Sequence, residues 1–541
     1  MTGETLERTP NLTRTGALLI GLAAAVALIA LSVINLDAQG AYYDELHQAP
    51  AAFSYLGKHS PIFNYSFLGI PGIPALNMPY TGAIKSHIYG LYLRLISPHF
   101  TIHSWRLFGI VFLAMGIFVF YQIAGASLQL TTAGIFGALL LTDASIILTN
   151  RHDLGPVSLA LCFRLVLIAL WISIELAKPD DWKYVVAGFV TGIAIFEKLS
   201  SVVLLAPLCL LLIASKKRSR RAWAASALGL LVGSLPLVLT NAGSYLRGKG
   251  FLSLSAVGAG RVDRLGIVEY AYQYLALGQG DLSRQEILGE FAAPFWKHAE
   301  ALLMITTLLI IVLAAVRIRR QDRLIAIAGM MVAAYAAVGI LVYALPGQTF
   351  VHHWILGSPF QYGAIALALA ALAVQAERGS RETAIYGVAC RVVVIALMAV
   401  RIPNMAALEM ALASGKTSDR FHPAFTRLAE IAAVRSKESA FIAADWGTGT
   451  QVYCLADGQE DLIYEAFWSV EPRQSVLEIV RTTKKNTLYT VVTGMAPQFQ
   501  EASTSIHLTL TNLPGWQEAA AESELTNLSP LRVRKFVRQG Q

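Results

Sequence analysis

Several ionisable residues in this chain sit at the ends of apolar runs, where charge is costly unless it has a partner or a task. Asp44 and Glu45 lie in Tyr42-Tyr43-Asp44-Glu45-Leu46-His47, just past the first such run. Lys85 lies in Ala83-Ile84-Lys85-Ser86-His87, and Arg151, His152 and Asp153 lie in Asn150-Arg151-His152-Asp153-Leu154-Gly155-Pro156. Glu197 and Lys198 share a very short turn between two apolar runs, and His352-His353 open another. A carboxylate can take a proton from an attacking hydroxyl. Fixed ammonium and guanidinium groups can stabilise an anionic leaving group. On these types Asp44 is the candidate base, with Glu45 and Asp153 as further acidic candidates. Lys85, Arg151 and Lys198 are the candidate phosphate-binding cations. Tyr43, His152, Glu197, His352 and His353 are candidates for substrate contact. Two adjacent histidines diverge on a helix and make a poor metal pair. Each group also has a plain reading. Asp44-Glu45 fits a solvated loop pair, Lys85 and Arg94 fit interfacial lysine and arginine side chains reaching for water, and Arg151-Asp153 fits a structural ion pair.

The elements that must position these residues are membrane helices. Of 541 residues 55% are hydrophobic and 14% charged, whereas soluble domains carry about a quarter charged residues. Apolar runs of span length recur near 16–36, 105–124, 131–149, 157–177, 183–200, 202–215, 222–240, 299–317, 324–345, 355–376 and 384–401. The first run is long for a signal peptide and many follow, so it reads as a retained helix. Basic residues gather before the first span (Arg8, Arg14) and in three connections: Lys216, Lys217, Arg218, Arg220 and Arg221; Arg317, Arg319, Arg320 and Arg323; Arg378 and Arg381. The positive-inside rule makes these cytoplasmic, with the N-terminus inside and the C-terminal end extracytoplasmic. The expected fold is therefore an α-helical polytopic membrane protein of about eleven spans, residues 1–402, followed by a soluble α/β domain, residues 403–541.

Two long outer loops are expected, at 37–104 and 241–298. The first holds Pro61, Pro71, Pro74 and Pro79, and then a stretch from Ile84 to Ile96 that reads as an amphipathic helix in the interface plane. The second holds Arg261 and Arg264. In the C-terminal part, 423–435 and 476–482 read as helices and 441–444, 462–467, 487–492 and 531–537 as strands, which suggests a small layer with a mostly parallel sheet. Asp445-Trp446-Gly447-Thr448-Gly449-Thr450 reads as a strand-to-helix turn, with Trp446 free to stack on a sugar or pack on the membrane domain. The four cysteines, Cys162, Cys209, Cys390 and Cys454, show no disulfide framework or metal spacing. No basic, aromatic-interleaved segment calls for nucleic acid.

A cluster of one acid and several cations at one membrane face suits glycosyl transfer from a lipid-linked sugar phosphate. The acid takes the acceptor proton, the cations hold the leaving phosphate, and the tail stays in the bilayer. At these residues the sequence resembles the GT-C superfamily of membrane glycosyltransferases, and within it the protein O-mannosyltransferases and lipid A aminoarabinose transferases. The resemblance rests on Asp44-Glu45 opening the first outer loop, on Arg151-His152-Asp153 after the third helix, and on Gly192-Ile193-Ala194-Ile195-Phe196-Glu197-Lys198 closing the fifth. Lys85 stands for the family's first-loop lysine, though without the flanking prolines usual there, and the histidines before Pro359 stand in its late outer loop. The resemblance implies an inverting transferase with Asp44 as base and a polyprenyl-phosphate sugar as donor. The acceptor is a lipid, a glycan or a protein hydroxyl, and no cofactor is required, with a divalent metal left open. Two other functions compete. A flippase or transporter would place ionisable residues at mid-membrane depth, and a noncatalytic envelope-assembly component would not need Asp44.

Overall fold

The computed structural model describes residues 11–59, 65–66, 74–177, 180–215, 219–248, 250–253, 265–318, 322–346, 349–377, 381–494 and 499–539. Pro61, Pro71, Arg261, Arg264, Arg8, Lys216, Lys217, Arg218, Arg319, Arg320 and Arg378 lie outside them. The chain enters through α1 (Arg14–Ser32), makes a single turn, α2 (Tyr43–Leu46), and lays down α3 (Ile84–Leu95). Then follow α4 (Ile102–Ala124), α5 (Leu130–Leu141), α6 (Ala144–His152), α7 (Val157–Leu176), α8 (Asp181–Glu197), α9 (Leu205–Ala214) and α10 (Arg220–Leu246). Two short helices, α11 (Ile267–Leu275) and α12 (Asp281–Leu288), precede α13 (Pro294–Ile318) and α14 (Arg323–Ala344). The turn α15 (Val351–Trp354) and the helices α16 (Ser358–Glu377) and α17 (Arg381–Ala413) complete the bundle.

Among the described residues eight helices are long and apolar enough to cross a membrane, and α5 with α6 makes a ninth, bent by 62°. The bend falls at Asp143, whose carboxylate caps α6 by accepting from the Ile146 N–H. The other two expected spans are helical but short. Helix α8 has 17 residues, and its continuation across Leu199–Ala214 begins as a 3-10 turn. The reason is local: at Lys198 the backbone becomes extended and pairs with Thr81, and the Leu199 N–H donates to the Tyr80 carbonyl. Two shorter apolar segments, Asp181–Glu197 and Leu199–Ala214, thus meet at this extended turn.

Helix α8 is set in place by glycine. Gly188 and Gly192 face Gly229 and Gly233 of α10, and a Cβ on any of the four would collide with the opposite backbone, that on Gly188 with the Ser226 carbonyl and that on Gly192 with the Leu230 carbonyl. Small residues spaced four apart let two membrane helices touch backbone to backbone. The same contact fixes where the end of α8 delivers Glu197 and Lys198.

The end of the bundle that holds α2 and α3 also carries the α/β unit, and is called the domain end below. Its sheet has the order β5-β4-β6-β8-β7, where β4 is Ser439–Ala443, β5 Ile463–Glu465, β6 Thr487–Thr493, β7 Trp516–Ala519 and β8 Leu531–Arg538; β1 (Tyr65–Ser66), β2 (Pro74–Met78) and β3 (Thr81–Gly82) form a separate small sheet in the first loop. Strands β4, β5 and β6 are parallel, but β8 runs antiparallel to β6 and to β7. The sheet is therefore mixed, not mostly parallel as the sequence suggested. Strand β7 escaped the sequence because it is a four-residue edge strand with only Trp516 buried. The expected break at 402 falls inside α17, which runs unbroken to Ala413. Nor does the unit have a core of its own. Phe441, Tyr453 and Leu428 share one apolar cluster with Ala49, Phe53, Tyr89 and Trp105 from the first loop and α4. Helix α3 buries Lys85, Ser86, Tyr89, Gly90 and Leu93 and exposes Ile88, Leu91 and Leu95, the profile of a helix with one face in lipid.

The Gly188→Ala variant is expected to lose about 1–3 kcal/mol, because a backbone carbonyl must move to admit the methyl. Gly134→Ala, whose Cβ would meet open space, is the control. Thermal unfolding in detergent should fall for the first and hold for the second; equal melting points would refute the close crossing.

Candidate functional site

The corner between α6 and α7 gathers the polar residues of the domain end. Asp153 leaves α6 in the left-handed region (φ 45°), a conformation that Asp adopts more readily than most residues. One carboxylate oxygen caps α7 through the Ser158 N–H at 2.9 Å, and the other meets the Lys85 ammonium at 2.6 Å. Both side chains are buried, and Lys85 also lies 3.9 Å from the Trp105 ring centroid. Burial lowers the Lys85 pKa and the Asp153 carboxylate opposes that shift. Two residues on, the Gly155 N–H donates to the Asp44 carbonyl (3.0 Å), and the Gly155 carbonyl accepts from the Lys198 ammonium (2.5 Å). One residue, Gly155, thereby links the Asp44 backbone to Lys198.

Asp44 itself stands apart from the other expected acids. Glu45 is fully buried against Arg106, which grips it at 2.7 and 2.9 Å and gives its three remaining N–H groups to the carbonyls of Leu36, Gln39 and Gly40. Glu197 accepts from the Ile84 N–H at 3.1 Å and so caps α3. Asp44 lies 4.0 Å from His47, its side chain is 19% exposed, and it accepts no hydrogen bond from any described residue. Its pKa is pushed up to about 7, first by burial and then by the Glu286 carboxylate, while Lys198 and Arg420 pull it down. Burial and Lys198 push His47 down to about 3, so its imidazole is neutral.

Glu286 and Arg420, 3.6 Å apart, form part of the wall of a cleft of ≈ 780 Å³. Tyr270, Tyr343, Phe350 and Trp354 supply its apolar wall. The segment that carries Phe350 and Trp354 also carries the two histidines. His352 is buried, stacks on Phe350, and has its Nε2 beside Gly155 near the Lys198 ammonium; its Nδ1 has no hydrogen-bond partner. His353 accepts from the Phe350 N–H at 3.2 Å. An aromatic and acid-lined cleft beside a free carboxylate and a buried ammonium suits a polar ring joined to an anionic group.

The fold thus brings Asp44, Lys85, Asp153, Glu197, Lys198, His352 and His353 together at one end. Arg151 is placed differently. Its guanidinium donates to the carbonyls of Ser32, Ile34 and Asn35 and to the Gln39 side chain, so it binds the exposed end of α1. His152 bonds the Leu148 carbonyl and packs edge-on to Phe421. Tyr43 faces the α/β unit, 4.4 Å from Trp446. Sequence reading missed Arg106, Glu286 and Arg420. Arg106 sits inside an apolar run and carried a usable signal as a charge in need of a partner; Glu286 and Arg420 lie in stretches of ordinary polarity with none. It also missed a buried network deeper in the bundle, in which Arg401 grips Glu300 at 2.8 and 2.5 Å and meets the Tyr362 hydroxyl, which in turn bonds Asp143. Among the described residues no three of His, Cys, Asp and Glu converge as metal ligands.

Residues 86–241 match the sequence model of a family described as dolichyl-phosphate-mannose-protein mannosyltransferase. No curated protein matches by sequence. Among solved structures, ArnT from Cupriavidus metallidurans bound to undecaprenyl phosphate is 13% identical, covers 97% of this chain and 98% of its own, and superposes with a TM-score of 0.57. Its apo form is 15% identical, with 96% and 98% covered and a TM-score of 0.56. The mycobacterial arabinofuranosyltransferase AftD is 11% identical, with 98% of this chain and 40% of AftD covered, at 0.51. The chain has the GT-C fold. The likeness to the solved GT-C structures is one of architecture and extends from α1 through the α/β unit. The stretch matched by the mannosyltransferase model begins at Ser86, beside Lys85, and takes in Asp153 and Lys198.

The raised Asp44 pKa makes a stability prediction. Unfolded aspartate ionises near pH 3.9; in the folded GT-C chain the group holds its proton to about 7. The folded state thus binds the extra proton between these values, and stability falls as pH rises from about 4 through about 7. The Asp44→Asn variant should gain on wild type by up to about 4 kcal/mol above that window and lose the slope. Melting in one detergent at about pH 5 and about pH 8 reads it; parallel slopes would show that Asp44 ionises normally.

Proposed function

We propose that this GT-C chain is an inverting glycosyltransferase that moves a sugar from a polyprenyl-phosphate donor to an acceptor hydroxyl at the extracytoplasmic face. The observation that carries the reading is the isolation of Asp44. Of the four expected carboxylates it alone accepts no hydrogen bond from a described residue, and it feels the charges of Glu286 and Arg420, which wall a cleft of sugar-headgroup size. The acceptor oxygen attacks the anomeric carbon and its proton passes to Asp44. The bond from that carbon to the phosphate oxygen breaks, and the phosphate leaves with the electron pair. A single displacement of this kind inverts the anomeric centre.

Lys198 neutralises the leaving phosphate, since its ammonium is linked to the Asp44 backbone through Gly155 and gives only one proton to that residue. Lys85 assists from the other side of the corner, with Asp153 holding it in place. Glu45, Arg151 and Glu197 are positioning residues in this scheme, because Glu45 is held by Arg106, Arg151 by the carbonyls that follow α1, and Glu197 by the start of α3. His352 and His353 border the phosphate, and Tyr43 and His152 hold the loop walls. The ArnT structure contains undecaprenyl phosphate, which supports a lipid phosphate as the carrier here. The face is assigned by charge: Arg14, Arg220, Arg221 and Arg323 mark the end opposite the α/β unit. On this reading the N-terminus is cytoplasmic and the unit extracytoplasmic.

With a panel of radiolabelled polyprenyl-phosphate sugars and an envelope extract as acceptor, Asp44→Asn should lose about 10²–10⁴-fold in transfer while still binding donor. Transfer that survives in the variant would remove Asp44 from the role. Wild-type kcat/KM should rise with pH to a plateau above about 7, since only the ionised carboxylate can take the proton. A profile flat from about pH 5 would place the base elsewhere.

A further inference from the structure

The turn α2 points two consecutive side chains in different directions. Asp44 feels the Glu286, Lys198 and Arg420 charges, whereas Tyr43 enters a box of aromatic rings on the α/β unit. Trp446 lies 4.4 Å from Tyr43, 5.1 Å from Trp468 and 6.1 Å from Phe499, the last with the two ring planes 6° apart. Trp468 lies 5.4 Å from Phe499 and is 41% exposed. In the same box lies Glu465, at the end of β5. It accepts from the Thr450 N–H and hydroxyl, both at 3.1 Å, and from the Trp468 indole N–H at 2.9 Å. Burial pushes its pKa up to about 7. The buried Tyr43 hydroxyl lies close to Glu465 and Trp468 but is in full hydrogen-bond geometry with neither.

Packing alone does not account for this set. A large indole left open to water is not needed to close a core, and a carboxylate among rings brings a desolvation cost that leucine or glutamine would avoid. A carbohydrate ring matches both features, with an apolar C–H face for an indole and hydroxyls for a carboxylate that has lone pairs to spare. We infer that Trp468, Trp446 and Glu465 form a sugar-binding subsite for the carbohydrate part of the acceptor, coupled to the reaction centre through Tyr43-Asp44. The inference rests on the proposed transferase reading and names its acceptor class: a glycan or glycolipid, whose sugar docks on the α/β unit and presents a hydroxyl toward Asp44.

The test is binding by the full chain in detergent micelles, without donor, so that it is independent of transfer. Linear gluco-, manno-, galacto- and arabino-oligosaccharides are titrated by calorimetry into wild type, Trp468→Ala, Trp468→Phe, Glu465→Gln and Asp44→Asn, each with its melting point checked. At least one series should bind wild type. Trp468→Ala should weaken that binding tenfold or more and Trp468→Phe should retain most of it, while Asp44→Asn is carried as the variant whose transfer is judged separately. Glu465→Gln keeps the neighbouring donors partnered and should weaken binding several-fold. No binding by any series, or equal binding by wild type and Trp468→Ala, would overturn the subsite. Failure of Asp44→Asn to reduce transfer would instead overturn the transferase reading and leave this result standing.

Discussion

A charge close to hydrocarbon must be paired or neutralised, and the domain end of this chain is organised by that requirement. Arg106 places all five of its N–H groups, two on Glu45 and three on loop carbonyls. Arg151 places four, three on the carbonyls of Ser32, Ile34 and Asn35 and one on Gln39, and Glu197 takes the free N–H at the start of α3. Each pair or cap ties a loop to a helix far away in sequence. Helix ends have unsatisfied backbone groups, and here buried ionic side chains from other elements satisfy them. Removing one partner of such a pair leaves a buried charge uncompensated, at a cost of about 3–5 kcal/mol. The loops are consequently held as firmly as the bundle.

Rigidity of this kind is what an unpaired acid requires. Asp44 has a raised pKa because it is buried and faces Glu286, while the nearby cations are engaged elsewhere: Lys198 with Gly155, Lys85 with Asp153 and Arg420 with Glu286. The α/β unit supports the same arrangement from above. It shares its core with residues of the first loop, so that α2 is clamped between the bundle and the sheet. The covering unit and the first loop therefore share one packed core, with Asp44 a single turn of chain from it.

Much of this architecture was legible in the sequence, since hydropathy runs and basic clusters report directly on solvent. The helices, the amphipathic segment at 84–95 and the alternating pattern after Ala413 all follow from that. The length of α8 did not, because an apolar run does not show where a loop will pair with its end. The domain boundary at 402 was misplaced for a related reason. Polar residues such as Asn404 and Glu409 mark a change of composition, but α17 continues through them, with Asn404 donating to the Gln279 carbonyl. Among the site residues, convergence could be read from topology. The distinction between neighbours could not. Asp44 and Glu45 look alike in sequence, and what separates them is Arg106, 61 residues from Glu45.

The low identity to other GT-C structures fits the same physics. At 11–15% identity few side chains are shared, yet the superposition covers nearly the whole chain. Helices in lipid tolerate exchange of one apolar residue for another, so sequence drifts while the path of the chain persists. A buried polar group, by contrast, cannot be exchanged for an apolar one without leaving its partner unpaired. The sequence match from 86 to 241 coincides with the stretch that holds the Asp153 corner, the glycine crossing and the Lys198 turn. The cleft wall from α11, α12 and α15 and the aromatic box of the α/β unit lie outside that stretch. The polar contacts of the Asp153 corner do not run through those surfaces, so changes there need not disturb the buried charges.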